Sequence, residues 1–234
     1  MSYHVAAYLV DAQKLATLTE GNIAERALRE FPKGDFENLA EYQEVMDEIE
    51  SDPEQYLESC VDGILKDVYL FEHTAHFAQQ LDEGFADEIK QGGPDARKAL
   101  TTLIRGEATQ ATQWQDMYGY AFQLMCETYG QALTNEGFIN MTSVEFLVDI
   151  EVFSAKVLNF RVYDELFAMP PALPLPLTEY PMIGFLPLAK AKQMAANFNQ
   201  LNLEHPDFGE ALTTLQSWVD HMLIEKRDLI TFFY

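Results

Sequence analysis

"HVAAYLVDAQKLATL", residues 4–18, decides the fold class. Its first seven residues are short and apolar, and Asp11 then interrupts them. An aspartate there suits the N-cap of a helix over "AQKLATL", so the stretch reads as strand, then helix. At the far end, "LITFFY" (229–234) is β-branched and aromatic, which is strand chemistry. A closing strand normally pairs with something already formed, and the opening strand is its natural neighbour. The expectation is one α+β domain over residues 1–234. It is mostly helical and surrounds a small sheet containing 4–10 and 229–234.

Helical signals fill the interval. Residues 23–30 form a short candidate helix that stops before Pro32. Over 35–50, Phe36, Leu39, Tyr42, Met46 and Ile49 make an apolar stripe at spacings of three or four. Pro53 suits the first turn of the next helix. From Ile64, apolar residues recur at 64, 68, 71, 75 and 78 with helical period. In "QGGPDARKALTTLIRG" (91–106) the paired glycines end one helix, Pro94 and Asp95 open another, and Gly106 stops it. "MYGYAFQLMCETYG" (117–130) reads as a buried helix, and Leu158–Tyr163 as a strand. Six of the ten prolines lie between Pro170 and Pro187, so that stretch is a long crossing with a short strand at Met182–Leu186. Helices at 188–200 and 208–226 complete the pattern.

Charge sets the partner class. The chain carries 38 Asp and Glu against 15 Lys and Arg, a net charge of −23. Such a molecule repels nucleic-acid phosphate and anionic membrane, and favours basic partners. The acids concentrate in a helical insert over about 31–70, where residues 35–62 hold eleven of them and no Lys or Arg. Glu41, Glu44, Asp47, Glu48, Asp52 and Glu54 are the candidate contact residues for a basic protein. A uniformly negative face of this kind speeds association with a cationic partner, as in inhibitor or immunity proteins. It serves equally well as a solvated surface.

Catalytic signatures are missing. None of the six serines lies in G-x-S-x-G, and neither G-x-x-x-x-G-K-[ST] nor G-x-G-x-x-G occurs. "DEIESDPEQYLE" lacks the central glycine of a calcium-binding loop. "FEHTAH" (71–76) puts His73 and His76 three residues apart, close enough on a helix to share a metal. The zinc patterns H-E-x-x-H and H-x-x-E-H are both absent, and Tyr69 and Gln80 stand where further acidic ligands would be needed. A solvated histidine pair is the simpler reading; a ligand-binding or enzymatic site near His73 and His76 is the alternative. No cofactor is indicated. Cys60 and Cys126 are far apart and sit among apolar neighbours, which suggests buried thiols in a reducing cytoplasm. No targeting segment or membrane span appears.

"YLVDAQKLATL", "DEIKQGGPDARKALTTLIRG", "YGYAFQLMCETYG", "IGFLPL" and "LQSWVDHMLIEKRDLITFFY" together resemble, in the same order, a family of uncharacterised bacterial proteins. The opening and closing segments also resemble a small enterobacterial α+β family. The resemblance implies a bacterial cytoplasmic origin and an α+β fold. It supplies no catalytic or binding residues.

Overall fold

The computed structural model describes residues 5–19, 38–70, 93–138, 145–168, 175–176, 178 and 181–233. The expected helix at 23–30, the His73–His76 pair and most of the proline-rich crossing lie outside them. The chain groups into two compact units.

The first unit is built on an antiparallel sheet of four strands: β1 (Val5–Val10), β2 (Gln131–Ala132), β3 (Met182–Leu186) and β4 (Asp228–Phe233). Their order is β2-β1-β4-β3, so the opening and closing strands form the centre. Val5 pairs with Phe233 and Val10 with Asp228, while Met182 pairs with Phe233 on the other side. Strand residues alternate between faces. Val5, Ala7, Leu9, Met182, Leu186, Leu229 and Phe233 therefore share one face, which joins the main apolar core. On the opposite face Tyr8 meets Phe232 edge to face, with ring centroids 5.8 Å apart.

Four helices pack around that core: α6 (Glu145–Leu158), α7 (Val162–Phe167), α8 (Leu188–Ala195) and α9 (Gly209–Glu225). The expected strand at Leu158–Tyr163 is instead the joint between α6 and α7. Leu158 ends α6, and Asn159 turns left-handed at φ 52°. The restart is driven by charge at a helix N-terminus. Glu151 on α6 accepts the Tyr163 amide at 2.9 Å and the Arg161 Nε at 3.2 Å. Glu165 accepts the Arg161 amide at 3.1 Å. Val162, Leu166 and Phe167 then fall on one buried helical face. The expected single helix at 188–200 is α8 followed by a 3-10 turn at Phe198–Gln200. Pro187 offers no capping side chain, and Asp228 caps α8 from the sheet by accepting the Leu188 amide at 2.8 Å.

Trp218 of α9 is wholly buried. It donates through Nε1 to the Thr134 carbonyl at 2.6 Å and stacks on Phe138 at 5.0 Å. The C-terminus of α9 closes in a Schellman turn, with the Arg227 amide donating to the Met222 carbonyl at 3.2 Å. That turn forces Lys226 to φ 57°, the left-handed region that favours glycine. Lys226→Gly is expected to stabilise the fold by about 0.5–1 kcal/mol, some of the gain being offset by a cation lost from the helix end. Urea unfolding of the two chains checks this; an unchanged or lower midpoint contradicts it.

The second unit is helical. It runs from α1 (Ala12–Thr19) through α2 (Leu39–Ser51), α3 (Pro53–Leu70) and α4 (Ala96–Ile104) to α5 (Gln115–Tyr129). Its helix starts follow capping chemistry. The Asn38 side chain accepts the Glu41 amide at 2.8 Å, Asp52 the Gln55 amide at 3.1 Å, and Asp95 the Lys98 amide at 2.8 Å. Gly106, at φ 71°, stops α4 as its position implied, and a Cβ there would press on the Thr19 carbonyl. Leu57, Val61 and Ile64 make the buried stripe of α3, which packs on α4.

The stripe on α2 differs from the expected one. Tyr42, Val45, Met46 and Ile49 cluster with Tyr56, but Leu39 is 58% exposed. Leu39 is the first residue of the helix, and at about 100° per residue it lies some 60–80° from the centre of that cluster. Cys126 is buried and Cys60 only partly so, so the expectation of two buried thiols holds for one.

Candidate functional site

Glu41, Glu44, Asp47, Glu48 and Glu50 are all exposed on α2, and the helix contains no Lys or Arg. On a helical projection they spread over the sides left free by the Tyr42–Ile49 stripe. Glu41 sits in the first turn, where the helix dipole favours an anion. Asp47 also accepts a hydrogen bond from Gln43 at 2.8 Å. The face is therefore a convex, solvated surface carrying one sign of charge.

The acids of the α3 side are committed differently. Asp52 caps α3. Glu54 pairs with Arg105, and Asp62 pairs with Arg97 at 2.5 Å, tying α3 to α4. The Asp62 hydrogen bond also holds the Arg97 guanidinium above its ordinary pKa. Of the six acids the sequence singled out, Glu41, Glu44, Asp47 and Glu48 thus share the open face, while Asp52 and Glu54 also serve the local architecture. The α3–α4 pairs are exposed, so each contributes at most ~1 kcal/mol.

One ionisable group escaped the sequence reading. Burial pushes the Glu127 carboxyl of α5 up to about 7, and its Oε2 has no hydrogen-bond partner among the described residues. Gln123, one turn earlier, is wholly buried. The adjacent Cys126 thiol is also raised, first by burial and then by the Glu127 charge, which leaves it a poor nucleophile at neutral pH. In sequence Glu127 is one acid among 38, and only its surroundings distinguish it. A carboxyl poised near neutrality can give or take a proton.

Glu127 also couples stability to pH. Its folded value lies above the ordinary 4.5, so its contribution is complete below about 4.5 and is lost as pH rises through about 7. Glu127→Gln keeps the shape and cannot ionise. The variant is expected to match the parent at pH 4.5 and exceed it at pH 8 by about 1–2 kcal/mol, a figure reduced for partial solvent screening. Urea unfolding across that range gives the difference between the chains, and parallel profiles would refute the assignment.

No group of three or more His, Cys, Asp or Glu is arranged to hold a metal ion among the described residues. His205 stacks on Phe208 and meets Phe153 at a tilt, with ring centroids 4.8 Å apart in each pair, and its Nδ1 accepts the Asp207 amide at 3.2 Å. His221 lies exposed on α9 with Nδ1 2.7 Å from the Ser217 carbonyl, its helical neighbour. No helix among the described residues is long and apolar enough to cross a membrane.

No curated protein and no solved structure matches the chain. Residues 54–234 match the domain of unknown function DUF7691, and the chain belongs to that family.

Proposed function

We propose that this is a non-enzymatic binding protein of the bacterial cytoplasm, which engages a basic protein through the acidic face of α2 in the manner of an inhibitor or immunity protein. One observation carries the reading. Five acids stand exposed on a single helix that has no basic residue, while Glu54 and Asp62 on the next helix are matched by Arg105 and Arg97. The charges of Glu54 and Asp62 on α3 are neutralised within the unit; charge on α2 is left facing outward. A cationic partner entering that field gains in association rate more than in final affinity. Glu41, Glu44, Asp47 and Glu48 make the centre of the contact, with Asp52 and Glu54 at its border. Residues 39–51 also precede the segment matched to the family.

The probe is a synthetic Lys- and Arg-rich helical peptide, titrated at low and at high salt. Binding is expected to weaken at least tenfold in Glu44→Lys/Asp47→Lys/Glu48→Lys and to fall steeply with salt. A control carries the same charge change on the first unit, as Asp149→Lys/Glu204→Lys/Asp220→Lys, all exposed positions. Equal loss in both variants shows that net charge alone attracts the peptide and defeats the proposal for α2.

A further inference from the structure

We draw no further inference here: the strongest candidate, the Gln123–Glu127 pair one turn apart on α5, rests on a raised carboxyl pKa and one buried oxygen, and nothing among the described residues shows what would occupy the space beside it.

Discussion

Gly184→Ala is expected to destabilise the first unit by roughly 3–5 kcal/mol. Gly184 sits on β3 beside Thr231 of β4, which in turn pairs with Ala7 of β1. These three small residues form one row across the sheet face that meets the helices. The end of α7 descends into the notch they leave. There the Leu166 carbonyl accepts the Thr231 hydroxyl and lies so close to Gly184 that an added Cβ would overlap it. A methyl group must push α7 off the sheet. That costs overpacking strain of about 1–3 kcal/mol and the buried hydrogen bond for about 1–3 kcal/mol more. Thr231→Val separates the two contributions, because it removes the hydroxyl and keeps the volume, with an expected cost of about 1–2 kcal/mol. Urea unfolding of both variants supplies the test. A Gly184→Ala chain within about 0.5 kcal/mol of the parent would show that α7 does not lie on this notch.

Removal of residues 1–11 is expected to abolish cooperative unfolding of the first unit. The family match begins at residue 54, yet β1 lies between β2 and β4 in the sheet. A chain trimmed of residues 1–11 would lose Val5, Ala7, Tyr8, Leu9 and Val10, all buried, and leave the adjoining edges of β2 and β4 unpaired. Burial of a large apolar side chain contributes about 1.5–3 kcal/mol. Several such losses, with unmet backbone hydrogen bonds, exceed a typical folding stability of about 5–15 kcal/mol. The Asn135 side chain, which donates to the Val5 carbonyl, would also lose its acceptor. The milder Leu9→Ala should cost about 2–5 kcal/mol while leaving a cooperative transition. Near-ultraviolet circular dichroism during urea unfolding reports on both chains. A trimmed chain that retains the aromatic signal and a sharp transition shows that β1 is dispensable.

Much of the secondary structure was legible because it rests on local chemistry. Asp95 before α4, Pro53 at the start of α3 and Gly106 after α4 act through backbone groups within a turn of themselves, so their residue types announce their roles. The two terminal strands were readable for a similar reason: short β-branched and aromatic runs fit a sheet. The α6–α7 joint was not readable. "LNFRVY" has strand composition, and what turns it into a helix start is Glu151, ten residues before Arg161 in sequence and brought to it by the fold. Leu39 was misplaced because a periodic stripe carries no information on where the neighbouring helix stops covering it.

The candidate site divides along the same line. Acidity of the 35–62 segment is a property of composition, and exposure of its acids from Glu41 onward follows from the apolar stripes opposite them. Which acids stay unmatched required the positions of Arg97 and Arg105, some 35–51 residues away from their partners. Glu127 was invisible for a deeper reason, since desolvation is a property of surroundings and not of residue type.

By itself the sequence determined an acidic α+β chain, several of its helix boundaries and the strand character of its two ends, because each depends on residue type and short-range spacing. Tertiary structure alone decided the strand order, the Ala7–Thr231–Gly184 notch that seats α7 and the raised carboxyl on α5. Register and burial arise only when distant segments meet, and no local pattern encodes the distance between them.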